Sequence, residues 1–166
     1  MRIFLIAAMT ADGFIGRHAE HFVDWSTPED KKLFTRLTKE AGVMVMGSRT
    51  FKTIGRALPG RRNIVLTSQP GAITAENVEP THETPAQLVT RLEAEGVQSL
   101  AVCGGAMVYT QFMESGLVTE LYLTIEPLLF GSGMPLFASK LDSTLQLADV
   151  SKLNDNTVLL HYIIPV

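Results

Sequence analysis

The chain has a single cysteine, Cys103, so no disulfide can close within it, and a lone thiol is compatible with a reducing compartment. It has no basic excess. Fourteen Lys and Arg against 17 Asp and Glu leave a net charge of −3, and no Lys/Arg cluster suits a polyanion, which argues against nucleic acid as a partner. It has no apolar run of membrane-spanning length: the opening stretch through Met9 is too short, and it leads to Asp12-Gly13 rather than to a cleavage site. That stretch reads as a buried strand. The four histidines, at 18, 21, 82 and 161, lack the spacing of a metal site, and no metal is expected. Internal repeats, low-complexity tracts and linkers are missing as well. What remains is 46% hydrophobic and 19% charged over 166 residues, which fits one globular domain spanning 1–166 with a substantial core. A cytoplasmic protein, monomer or homodimer, is the expectation.

In chain order, residues 3–9 form a strand apolar enough to be buried on both faces. Thr10 to Gly16 turns, and residues 17–24 make a polar loop around Phe22 and Val23, either a lid or a plain connection. A helix follows from about 28 to 40 and stops at Gly42. Val43 to Met46 is a short strand, Gly47 to Ile54 a turn and short helix, and Asn63 to Ser68 another strand. A weak strand near 77–80 precedes Thr84-Pro85, the cap and first residue of a helix ending at Gly96. Ser99 to Cys103 is a strand, and Gly104-Gly105 opens a helix to about Ser115. The pattern then changes. Thr119 to Glu126 alternates as a long strand, Pro127 to Phe137 is Gly/Pro-rich, and strands near 144–151 and 157–164 meet at Asn154-Asp155-Asn156. A βαβ grammar ending in antiparallel strands predicts an α/β fold with one mixed, mostly parallel sheet and helices on both faces.

Asp30 stands out. With Thr27 as N-cap and Pro28 as the first helical residue, Asp30 shares a face with Leu33, Phe34, Leu37 and Ala41, while Glu29, Lys32, Arg36, Lys39 and Glu40 take the opposite one. A carboxylate at the head of an apolar stripe is costly unless paired or held for use. Thr27-x-x-Asp30 also fits a capping box, in which Asp30 reaches back to the Thr27 amide. Both readings stand on this window alone.

Twice a buried strand ends in glycine and runs directly into a helix, at Met46-Gly47-Ser48-Arg49-Thr50 and at Cys103-Gly104-Gly105-Ala106. Free amides and the positive end of the dipole at such junctions bind phosphate, although a glycine pair can equally be a tight turn. Two on one sheet suit a ligand with several phosphates. Arg49, with Thr67, Ser68 and Gln69 after the next strand, adds charge and donors. Neither junction is the G-x-G-x-x-G fingerprint. Arg61, after the Leu58-Pro-Gly60 turn, suits either a carboxylate or solvent.

These residues resemble dihydrofolate reductase. The likeness runs through Ile6-Ala-Ala with Asp12-x-x-Ile15-Gly16, Trp25-x-x-Pro28-x-Asp30-x-x-x-Phe34, Val45-Met-Gly-x-x-Thr50 and Ile54-Gly-Arg-x-Leu-Pro-Gly-Arg61. It continues in Asn63 to Ser68, Gly104-Gly-x-x-Val-Tyr109 and Leu121-Tyr-Leu-Thr124. The resemblance implies an eight-stranded sheet with four helices, NADPH as cofactor and 7,8-dihydrofolate as substrate. It implies that Asp30, helped by Thr124 and Trp25, holds the pterin while hydride reaches C6 and N5 gains a proton. Ile6, Ala7, Phe34, Ile54 and Leu58 would wall that pocket, and Arg61 would grip the glutamate carboxylate. Ala8, Ile15 and Gly16 would flank the nicotinamide. Gly104, Gly105 and Ala106 would flank the diphosphate, Arg49, Thr50, Thr67 and Ser68 the adenosine and its 2′-phosphate, and Gly47, Leu66, Cys103, Met107 and Val108 would complete the cofactor site.

The sequence departs from that family in places. The loop between Gly16 and Trp25 is long, Val23-Asp24 replaces a Met-Pro or Leu-Pro pair, and Ser48 and Met107 stand where a basic residue often helps hold the 2′-phosphate. Asp12-Gly13, Val23-Asp24-Trp25, Glu114 to Leu123 and Glu126 to Phe137 look more like the related reductase domain of riboflavin synthesis, which reduces a ribosylamino-pyrimidine. That is the alternative function.

Overall fold

Successive side chains of the first strand, β1 (Arg2–Thr10), alternate between two buried faces, as its unbroken apolar run predicts. The structure, a computed structural model, describes residues 1–165. After β1 come β2 (Phe14–Gly16), α1 (Pro28–Ala41), β3 (Val43–Gly47), α2 (Ser48–Ile54), β4 (Arg62–Leu66), β5 (Val78–Thr81) and α3 (Pro85–Ala94). Then follow β6 (Ser99–Val102), α4 (Ala106–Glu114), β7 (Glu120–Glu126), β8 (Met134–Pro135), β9 (Gln146–Lys152) and β10 (Val158–Ile163). Eight strands form one sheet in the order β5-β4-β3-β6-β1-β7-β10-β9. The six from β5 to β7 are parallel, and β10 runs antiparallel to both its neighbours. This is the expected mixed α/β sheet with four helices.

Ile3, Leu5, Val45 and Val102 pack on one face with Leu88 and Leu92 of α3 and Phe112 of α4. Phe4, Ile6, Met44 and Met46 pack on the other with Leu33 and Leu37 of α1 and Phe51 of α2. Truncating a wholly buried side chain such as Leu92 to alanine would cost roughly 2–5 kcal/mol. On α1 the fully buried residues are Asp30, Leu33, Leu37 and Thr38; the expected Phe34 and Ala41 are half-buried against the same core, and Thr38 joins the set. Its hydroxyl donates to the Phe34 carbonyl at 2.7 Å, which makes a polar residue tolerable there. No helix among the described residues is long and apolar enough to cross a membrane.

The Gly/Pro-rich segment after β7 does more than the sequence suggests. Its two-residue strand β8 pairs with β2 in a separate small sheet, too short and proline-bearing to show any alternation. Gly133 sits so close to this pair that a Cβ would collide with the Gly16 carbonyl. Asp12 accepts from the amides of Phe130 at 3.1 Å and Gly131 at 2.7 Å, tying the first turn to the same segment. The Thr10 hydroxyl and these amides hold the Asp12 carboxyl below the usual range.

Candidate active site

A cleft of about 1190 Å³ opens where the parallel strands end and the helices α2 and α4 begin. Every residue expected to bind substrate or cofactor lines it, except Thr124. Thr124 lies one layer behind, buried in β7, and its hydroxyl interacts with the Asp30 carboxylate. Trp25 is also off the lining. Its ring packs edge-on against Phe130, with centroids 5.4 Å apart, and its buried Nε1 has no hydrogen-bond partner among the described residues.

Asp30 reaches the cleft from the first turn of α1 and is 7% exposed. Burial raises its pKa from the usual carboxylate value. The Thr124 and Ser26 hydroxyls oppose that, the charge of Glu126 adds to it, and Lys31 opposes it weakly. The capping box expected here is half closed. The Thr27 hydroxyl does accept from the Asp30 amide, at 3.4 Å, but the Thr27 amide donates to Glu126 Oε1 at 3.0 Å and not to Asp30. The Asp30 carboxylate is therefore directed into the cleft instead of back along its own helix. A complete capping box does occur at Thr84 and Gln87, at the start of α3.

The other wall is built from the two glycine junctions. Neither α2, which follows Gly47, nor α4, which follows Gly105, has a side chain capping its first amides. The junctions are locked together: the Gly47 amide donates to the Gly104 carbonyl at 2.8 Å. Gly104 has φ +110, which an L side chain rarely adopts, and a Cβ on Gly105 would lie 3.2 Å from Thr50 Oγ1. Arg49, Thr50, Thr67 and Ser68 complete this end, with His82 beside them. Glu83 also lines it, but Arg91 engages it in two hydrogen bonds of 2.9 and 2.7 Å and holds its carboxyl below the usual range. It does not face the cleft as a free anion.

Arg61 also lines the cleft, with one Nη1–H donated to the Pro59 carbonyl at 3.1 Å and a buried Nε that has no partner among the described residues. Cys103 is close enough for mutual charge effects, and burial pushes its thiol up, so it is an inert wall. The buried Tyr109 hydroxyl donates to the Ile6 carbonyl at 2.7 Å, bracing β1 where it meets the cleft.

Sequence reasoning missed part of this lining. His18, His21, Phe22 and Val23 place the 17–24 loop on the cleft, and the Arg17 guanidinium stacks 4.1 Å from the Phe130 ring. Lys31 and Arg56 also line the cleft, and both are exposed residues that read in sequence as solvent charge. No group of three His, Cys, Asp or Glu is placed to hold a metal ion among the described residues.

A family model described as dihydrofolate reductase matches residues 2–128. Dihydrofolate reductase type A13 of Escherichia coli is 38% identical over 114 residues, 66% of this chain and 62% of that protein, so the match spans under two thirds of it. Dihydrofolate reductase type 3 of Salmonella typhimurium is 36% identical over 124 residues, 75% of this chain and 71% of that one. A solved structure from Shewanella sp. PV-4, named as a riboflavin biosynthesis protein, covers 100% of both chains with a TM-score of 0.87. At 20% identity that likeness shows the fold alone.

Proposed function

The chain belongs to the dihydrofolate reductase family, and from that premise we propose that it reduces 7,8-dihydrofolate to 5,6,7,8-tetrahydrofolate with NADPH. The observation that carries the reading is Asp30: a buried carboxylate with no ion pair among the described residues, on the wall of a cleft whose other wall is an anion cradle.

The cradle suits a nicotinamide nucleotide. The uncapped amides of α4 and the glycine pair leave room that a single Cβ would fill, and the donors around them are hydroxyls and an arginine. Gly104, Gly105 and Ala106 would hold the diphosphate, with Gly47, Cys103, Met107 and Val108 around it. Arg49, Thr50, Thr67 and Ser68 would take the 2′-phosphate end, and Leu66 the adenosine. Ala8, Ile15 and Gly16 would flank the nicotinamide, and NADPH supplies the hydride when bound. Since Ser48 and Met107 add no charge, Arg49 carries the preference for NADPH over NADH.

On the substrate side, Asp30 would accept hydrogen bonds from the pterin amino group and N3, with the Thr124 hydroxyl steadying it; Trp25, off the cleft lining, takes its part in the reading from the resemblance alone. The negative charge of Asp30 favours the N5-protonated pterin electrostatically. Ile6, Ala7, Phe34, Ile54 and Leu58 would exclude water from the ring, and Arg61 would pair with a glutamate carboxylate.

A second reading, reduction of a ribosylamino-pyrimidine of riboflavin synthesis, is favoured by the segment Glu126 to Phe137 and its tie to Asp12. Both readings use the same cradle and part at Asp30 and Arg61. NADPH oxidation measured in parallel with dihydrofolate and with the ribosylamino-pyrimidine separates them. Turnover confined to the pyrimidine would replace the first reading by the second.

A further inference from the structure

Glu126 closes β7 with its side chain fully buried, off the cleft lining, and with no cation paired to it among the described residues. Glu120, at the other end of the same strand, has the partners expected of a structural acid: Arg2 at 2.7 Å and His161 at 2.9 Å. Glu126 instead accepts from the Thr27 amide at 3.0 Å, the Thr27 hydroxyl at 3.0 Å and the Thr157 hydroxyl at 3.4 Å. A threonine hydroxyl has one hydrogen. With that hydrogen given to Glu126, its lone pairs are left to cap the Asp30 amide. Two residues earlier on the same face of β7, the Thr124 hydroxyl meets the Asp30 carboxylate.

We infer that Glu126 is a positioning residue for Asp30: it orients the Thr27 hydroxyl, fixes the first turn of α1 to the end of β7, and sets a second negative charge behind the Asp30 carboxylate. This rests on the reading that Asp30 acts on the substrate. The titratable groups around Asp30 are Glu126 from β7, Lys31 from its own helix and Tyr109 from α4. The Glu126 charge favours the protonated carboxyl, and Lys31 is the nearby cation that opposes it.

The test is a carboxyl-carbon NMR titration of Asp30 in the unliganded protein, assigned with Asp30→Asn and repeated in Glu126→Gln. The Asp30 midpoint should fall in Glu126→Gln, and the acid limb of the kcat/KM profile should move the same way. An unmoved midpoint would overturn the charge role, whatever the melting temperature does. Glu126→Asp keeps the charge but shortens the reach. It should hold the midpoint while lowering kcat about tenfold or more, and unchanged kcat and KM would overturn the positioning role even if Glu126→Gln does not fold. Lack of turnover with dihydrofolate would sink the proposed reaction while leaving the titration readable, so the two failures are distinct.

Discussion

The four α-helices among the described residues begin in two ways. α1 and α3 start Thr-Pro, and in each the threonine hydroxyl accepts from an amide of the first turn. α2 and α4 start after glycine and leave their first amides without a side-chain partner. The capped helices obey the local rules of helix formation, whereas the open ones break them, both on the wall of one cleft. The difference teaches where to look: donors left unused by the fold are donors available to an anion. α1 adds a qualification. Its cap is held from outside, by Glu126, which leaves the Asp30 carboxylate free to face the cleft.

The largest effect should come from the charge in the capped helix. Asp30→Asn should lower kcat with dihydrofolate by about 10²–10⁴ at neutral pH and recover partly in acid, where the substrate arrives protonated; a pH–rate profile checks it. The same change should stabilise the protein. Asp30 has a higher pKa folded than unfolded, so the folded state binds its proton more tightly, and stability falls as pH rises from the unfolded toward the folded value. The gain in melting temperature from Asp30→Asn should therefore be full above the folded pKa and vanish below the unfolded one. It should amount to about 2–4 °C per kcal/mol relieved in a chain of this size. A change in stability with turnover left intact would return Asp30 to an ordinary structural acid.

Filling the open helix end comes next. Gly105→Ala should weaken NADPH binding about tenfold or more, read by fluorescence titration, with a small change in melting temperature. Arg61→Ala should raise KM for dihydrofolate about tenfold and leave KM for a pterin without the glutamate nearly unchanged. The smallest effect should come from the capped end of α3, whose Thr84 does not line the cleft. Thr84→Ala should cost about 1 kcal/mol of stability and leave kcat untouched. A Thr84→Ala enzyme with altered turnover would blur the distinction between the two kinds of helix end.

Much of this was legible in sequence because it follows from local chemistry. The apolar run of β1, the Thr27-Pro28 and Thr84-Pro85 starts, the Gly42 stop and the glycine junctions each declare themselves within a few residues. Contacts made across the fold were hidden. Glu126 reads as the last residue of an alternating strand, and its partners Thr27 and Thr157 lie 99 and 31 residues away. The β2–β8 pair has too few residues to show a period, and Lys31 and Arg56 gain meaning from the cleft beside them. Thr124 was named through resemblance, and its place behind Asp30 depends on the register of β7 against β1.

We propose that Asp30 and the glycine cradle serve the reduction of dihydrofolate. Steady-state oxidation of NADPH by the purified protein in the presence of dihydrofolate tests it most directly. The reading predicts turnover that needs both compounds, is blocked by an antifolate mimicking the protonated pterin, and collapses in Asp30→Asn. Binding of NADPH with no oxidation on adding dihydrofolate would contradict it.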